Sequence, residues 1–266
     1  MLSLYRFART ADDLADEGDL SSRERLDGLD RLEEGLLLGR DGHAPLPADA
    51  LLLIGSRLGA ALRQHACAVD EALALLKAFR ADVEHQPMAD DQAVLRYCRH
   101  SAVPIGRLVL GLFGIFQQNP LDPEGLQDKS DAICTGLQLA NFAQDLGEDV
   151  HRGRIYFPKA WWPTGWSPDQ GVVALSVNGR AMIATQMADW AASKLQEGAH
   201  LPRRIRLHPR GGARLALELA LTVEGGRRIA GKVRQDPQQV WQASPRLSRK
   251  DLMVLLFRAL RLTYVS

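Results

Sequence analysis

Residues 137–150 read LQLANFAQDLGEDV, and within them Gln138, Asn141, Asp145 and Asp149 follow one another at intervals of three, four and four. That spacing puts all four on one face of an α-helix. The remaining positions, among them Leu137, Leu139, Ala140, Phe142, Ala143 and Leu146, are apolar. The stretch is therefore a polar stripe on an apolar rod, and such a stripe must face water or a polar cavity, because buried polar groups without partners are costly. Its carboxylates, with Glu148 beside them, crowd the C-terminal end of the helix. There the macrodipole is already negative and like charges one turn apart repel.

The same violation occurs near the start of the chain. Asp12, Asp13 and Asp16 gather at the end of a helix that also carries Tyr5 and Arg9, so that Tyr5, Arg9, Asp12 or Asp13, and Asp16 form a second stripe. Either cluster alone also reads as a solvated helix end. Two helices breaking one local rule in the same way point to something that stabilises the charge. Mg²⁺ suits these residues, since it takes hard oxygen ligands, keeps several waters and is shared between a few carboxylates and substrate phosphates. Arg9 precedes the first cluster and Arg152 and Arg154 follow the second, and guanidinium groups match phosphate oxygens in a bidentate way. A cavity between two helices, lined with oxygen ligands, is the arrangement these patterns predict.

Outward from these segments, helical periodicity persists almost throughout and strand-like alternation is scarce, so the fold class is all-α. The predicted helices cover 3–17, 23–38, 48–66, 70–83, 90–117 with a break at Pro104, 124–150, 177–198, 211–234 and 248–263. No Ser/Gly linker or low-complexity stretch divides the 266 residues, which predicts one domain over 1–266. The largest gap, HRGRIYFPKAWWPTGWSPDQG (151–171), holds three prolines and three of the five tryptophans. It reads as a loop packed on the core by Trp161, Trp162 and Trp166, or as a lid over an apolar pocket.

Basic and acidic residues nearly cancel, 33 against 32, so no whole-chain field recruits nucleic acid, and any anion site is local. Cys67, Cys98 and Cys134 lie far apart without metal-binding spacing and read as core residues of a reducing compartment. The longest near-apolar run, Leu108 to Phe116, is too short to span a bilayer, which predicts a cytoplasmic protein with at most peripheral contact with the inner membrane.

The segments YRFARTADDLADE (5–17) and LQLANFAQDLGEDVHRGRIYFP (137–158) resemble the squalene and phytoene synthase family, the head-to-head isoprenyl diphosphate synthases. YCRHSAVPIGRLVL (97–110) and TVEGGRRI (222–229) look most like its bacterial hopanoid-pathway branch, and Gln144 before Asp145 leans toward the hydroxysqualene-forming member. Glu148 is more usual in squalene and phytoene synthases. The resemblance implies a single helical bundle around a central cavity, here lacking the family's first helix before Tyr5. It implies that Asp12, Asp13 and Asp16 hold Mg²⁺ from one side and Asn141, Asp145 and Asp149 from the other, with more than one ion. Arg9 and Arg154 would bind diphosphate, and Tyr5, Tyr97, Gln138 and Gln144 would line the substrate site. Small residues Ser101, Ala102 and Gly106 would leave room for a prenyl chain. The implied reaction converts presqualene diphosphate to hydroxysqualene by ionisation, rearrangement and water quench, without NADPH, after a presqualene diphosphate synthase acting as functional partner. A presqualene diphosphate, squalene or phytoene synthase shares every motif; a class I terpene cyclase and a non-catalytic helical scaffold are the more distant readings.

Overall fold

The computed structural model describes residues 1–16, 18–43, 49–115, 125–209 and 212–264. Glu17, Phe116 and the outermost residues of several predicted helices lie outside them. The described residues are helical, with short 3₁₀ turns and no strand. The helices are α1 (Leu2–Asp16), α2 (Ser22–Asp41), α3 (Ala50–Gln64), α4 (Asp70–Val83), α5 (Asp91–Ser101), α6 (Val103–Leu112), α7 (Leu126–His151), α8 (Val177–Gly198), α9 (Leu201–Ile205), α10 (Gly212–Gln235) and α11 (Arg249–Tyr264). They gather into two compact units, the first comprising residues 1–86 and 99–121 and the second 87–98 and 122–266.

In the first unit α1 packs on α2, α3 and α4. Leu4, Phe7 and Ala11 of α1 join Leu29, Leu32, Leu36, Leu58, Leu62, Leu75 and Leu76 in a core from which water is excluded. Each such large side chain contributes about 1.5–3 kcal/mol of burial. The tightest crossing is α2 on α3, where Gly35 faces the backbone of Leu52, Gly39 that of Ser56, Gly55 that of Leu32 and Gly59 that of Leu36. A Cβ at any of the four would overlap a carbonyl oxygen, so the two helix axes approach as closely as backbones allow. Both starts are capped: Ser21 and Glu24 form a capping box ahead of α2, and Asp49 accepts from Leu51 N and Leu52 N at 3.0 and 3.2 Å.

The second unit is built on α7, packed against α8 and α10. Leu139, Phe142, Ala143, Ile183, Ala184, Met187, Ala188 and Val233 form its core. Residues 152–176 contain three short 3₁₀ turns and are fastened by aromatic packing. Phe157 and Trp166 are buried and stack at 5.9 Å, Trp162 meets Trp166 edge-on at 5.1 Å, and the indole N–H of Trp166 donates to Gly171 O at 3.0 Å. The packed-loop alternative thus describes this segment.

The predicted break at Pro104 falls two residues earlier, at Ala102, whose φ of −121° leaves the helical region. Pro104 sits in the first turn of α6, where its missing N–H costs nothing, and its ring obstructs the turn before it. α9 was not predicted, since five residues with a proline give no readable period. Of the cysteines, Cys98 is buried, with its thiol pushed up to about 12 by burial, whereas Cys67 and Cys134 are half-buried.

One polar node holds α11 onto α10. The Asp251 carboxylate, 2% exposed, accepts from Arg228 Nε at 2.6 Å, from Ser248 N and Oγ at 2.7 Å each, and pairs with Lys232 Nζ at 2.8 Å. Lys232, then Ser248, then Arg228 hold this carboxyl far below the usual carboxylate range. Its stabilisation is present above the ordinary aspartate pKa of about 4 and is lost as pH falls below it.

Three outcomes follow from this packing. Gly55→Ala is expected to lower stability by about 2 kcal/mol or more through backbone overlap, whereas Gly231→Ala, in a helix with open space around it, raises it by about 0.8 kcal/mol; thermal melts followed by circular dichroism check both. Asp251→Asn is expected to speed amide exchange along α11 while leaving α2 and α3 unchanged, and hydrogen exchange with mass spectrometry reads the difference.

Candidate functional site

The two acidic stripes form as their periodicity predicts, one in each unit. On α1 the buried residues are Leu4, Phe7, Ala11 and Ala15, which turns Tyr5, Arg9, Asp12 and Asp16 to the opposite side. Tyr5 is 67% exposed. Arg9 pairs with Asp12 at 3.2 Å and with Asp13 at 2.7 Å, and all three side chains are nearly half exposed. Ion pairs of that exposure are worth about 0–1 kcal/mol, so a stronger anion can draw Arg9 away. No basic residue lies in the last turn of α1. The compensating charge comes from α2, whose Arg25 donates to Leu14 O at 2.9 Å, Gly18 O at 2.8 Å and Leu20 O at 3.1 Å. Arg25 thereby satisfies one orphan carbonyl of the last turn, that of Leu14, and sets a positive charge at the negative helix end. Sequence reasoning missed it, because its targets are backbone atoms up to 11 residues away.

On α7 the amide of Asn141 donates through Nδ2 to Asp145 Oδ2 at 2.8 Å, aligning two oxygen-bearing side chains one turn apart. Asp149 lies on the next turn and is largely buried. Its carboxyl is pushed up to about 7, first by burial and then by the charge of Asp145, against the opposing pull of Arg154. The helix ends in a tight reversal: Gly153 N donates to Val150 O at 3.1 Å and Arg154 N to Asp149 O at 2.8 Å, with Gly153 at φ +75°. Only glycine takes that conformation without strain, and the reversal returns Arg154 toward Asp149. Glu148, on the exposed flank, pairs with Arg152 at 2.6 Å.

The other predicted residues divide. Tyr97 packs in an aromatic cluster with Phe142 and Tyr156, at 5.9 and 5.5 Å between ring centres. Gln138 lies half-buried on the same face of α7 as Asn141. Gln144 stands apart from the row, donating through Nε2 to Pro245 O at 2.7 Å and so tying α7 to the segment before α11. In the first unit Ser101 Oγ, beside the α5–α6 break, is buried without a hydrogen-bond partner, an atom that a polar ligand would satisfy.

The donor set fits a hard cation. Within either unit no three His, Cys, Asp or Glu side chains among the described residues are close enough to enclose an ion. Each stripe instead offers two carboxylates one turn apart, and that is how Mg²⁺ is commonly held, with water and substrate phosphate completing its shell. Burial and the neighbouring Asp145 charge raise the Asp149 pKa, and a bound cation would oppose both.

Comparison with known proteins gives the chain's family. A hydroxysqualene synthase of Sinorhizobium fredii is 38% identical over 160 residues, 60% of this chain and 49% of that one. A 15-cis-phytoene synthase of Pantoea ananas is 26% identical over 279 residues, 97% of this chain and 81% of the other. A crystal structure described as squalene synthase HpnC from Alicyclobacillus acidocaldarius matches with a TM-score of 0.72 and 33% identity, over 88% of this chain and 82% of that chain. The chain spans about half the length of the hydroxysqualene synthases it matches. The model of the squalene/phytoene synthase family covers residues 1–251, and the chain belongs to that family.

Proposed function

We propose that this chain converts presqualene diphosphate to hydroxysqualene, with Mg²⁺ bound by Asp12, Asp13 and Asp16 on α1 and by Asn141, Asp145 and Asp149 on α7. What carries the reading is the α7 row, in which Asn141 donates to Asp145 one turn on and burial beside Asp145 pushes the Asp149 carboxyl up to about 7. Such a pair costs stability in the free protein and gains most from a cation. The similarity to hydroxysqualene synthases supports the choice of substrate.

Arg9 and Arg154 bind the diphosphate in this proposal, and their charge grows in value as the carbon–oxygen bond breaks and the leaving group takes the electron pair. Bound Mg²⁺ supplies further neutralisation of the departing oxygens. Tyr97, half-buried beside Phe142 and Tyr156, would offer an aromatic ring to the cation left behind, stabilising it without reacting with it. The cyclopropylcarbinyl cation rearranges, water adds to the rearranged carbon, and the added water loses a proton. No hydride donor is consumed. Gln138 and Asn141 are the polar groups suited to hold the quenching water, since a buried water needs two or more hydrogen-bonding partners. Presqualene diphosphate would come from a presqualene diphosphate synthase, and a relative of that description is 29% identical over 160 residues.

Incubation of the protein with presqualene diphosphate, with Mg²⁺ and then with EDTA, in water labelled with oxygen-18, is expected to give hydroxysqualene carrying the label only when Mg²⁺ is present. Hydrocarbon formed only with NADPH would replace this reading with a squalene synthase. Product from farnesyl diphosphate alone would replace it with a presqualene diphosphate or phytoene synthase. Asp16→Asn, Asp145→Asn and Asp149→Asn are each expected to lower turnover by about 10²-fold or more. Asp149→Asn separates charge from fold. A carboxyl with its folded pKa raised lends stability that is complete below about pH 4 and is lost as pH rises through about 7. The variant cannot ionise, so its melting temperature should exceed the parent's by a margin that grows from pH 4 to 7 and then levels. Mg²⁺ should shrink that margin by stabilising the parent alone; a margin independent of pH would mean that Asp149 is not the titrating group.

A further inference from the structure

α11 is apolar on the side that the fold does not use. Its buried face is formed by Asp251, Leu255, Ala259 and Thr263. Directly opposite, Met253, Phe257, Leu260 and Tyr264 recur at intervals of four, three and four, with exposures of 72%, 69%, 42% and 50%. Leu256, also exposed, widens the stripe on one edge. A continuous apolar stripe of this width on a surface helix marks an interaction site.

The other edge of the stripe is basic. Lys250, Arg258 and Arg261 lie along it, and Arg258 and Arg261 continue into a cavity of about 440 Å³ also lined by His200, Arg203 and Arg227. The acids of this region, Glu224 and Asp251, are buried and already paired with arginine and lysine. Among the described residues, Lys250 and Arg261 have no such partner. The surface is therefore positive, although the whole chain carries a net charge of only +1. A second copy docked face to face would set arginines against arginines. An apolar stripe bordered by cations fits a layer of acyl chains beneath anionic headgroups.

We propose that α11 docks the protein on an anionic bilayer surface, with Met253, Phe257, Leu260 and Tyr264 entering the acyl boundary and Lys250, Arg258 and Arg261 on lipid phosphates. The helix lies in the plane of the interface. No described helix is long and apolar enough to cross a membrane, so the attachment is peripheral and depends on salt. The stripe is outside the acidic rows of α1 and α7, and the inference holds whatever reaction the chain performs.

Flotation of the purified protein with vesicles tests it, using phosphatidylcholine alone and an equal mixture of phosphatidylcholine and phosphatidylglycerol. The protein should float with the mixed vesicles, float poorly with the neutral ones, and be released by high salt. Phe257→Ser should weaken binding about tenfold or more by removing the apolar anchor, and Arg261→Glu about fivefold or more by replacing a cation at the headgroups. Both residues are on the surface, and circular dichroism melts matching the parent's establish that the variants are folded. Absence of flotation with the mixed vesicles overturns the proposal, as does binding unchanged in both folded variants. A dimer in sedimentation equilibrium that Phe257→Ser dissolves, without vesicle binding by the parent, overturns it in favour of a second copy.

Discussion

The rotation of α7 about its own axis is fixed by contacts between backbones. Gly136 lies against the backbone of Leu195 and Ala191, and Gly147 against that of Trp241. By helical geometry both glycines are on the side of α7 opposite Gln138, Asn141, Asp145 and Asp149. A side chain at either position would push the helix off its neighbour or turn it, and a turn of one residue moves the carboxylates by about 100°. Gly198 of α8 reciprocates against Ile133 and the backbone of Lys129. The orientation of the acidic row is thus set by the absence of side chains on the far face. In the first unit the crossing of α2 and α3 supplies the same kind of rigidity beneath α1.

The two acidic rows solve the same electrostatic problem by different means. α1 receives a guanidinium from α2 at its carbonyl end, and Arg9 shares its charge between two exposed aspartates. On α7 the relief comes from the helix's own continuation, through Arg152 and Arg154 on either side of Gly153. That relief is incomplete, and Asp149 keeps its proton into the neutral range. Charge frustration of this kind is stable only because the surrounding packing of Leu146, Val150, Ile155 and Phe157 holds the helix end in place.

What the sequence shows well is what repeats locally. The period of the apolar residues places most helices to within a few residues, and the spacing of Asn141, Asp145 and Asp149 identifies their shared face before any coordinates. Three features were hidden for one physical reason: they join residues distant along the chain. Arg25 reaches Leu14 O, Arg228 reaches Asp251 across 23 positions, and Gln144 reaches Pro245 across 101. No periodicity records such pairings. The stripe on α11 was hidden differently, since a helix apolar on both faces looks like core until burial separates Leu255 from Phe257. Gln144 also shows how a residue's neighbours in sequence mislead, because adjacency to Asp145 says nothing of the flank on which its amide is spent.

The fastening of residues 152–176 by indoles has a spectroscopic consequence. Trp161, Trp162, Trp166, Trp190 and Trp241 all belong to the second unit, while the first contains none and has only Tyr5 as a phenol. Intrinsic emission excited at the red edge therefore reports on one unit alone, and far-ultraviolet ellipticity reports on both. If the units melt together the two signals trace one curve. If the glycine-clamped α2–α3 crossing outlasts the aromatic cluster, ellipticity will persist after the emission has shifted, and the unlabelled chain will resolve its own two cores.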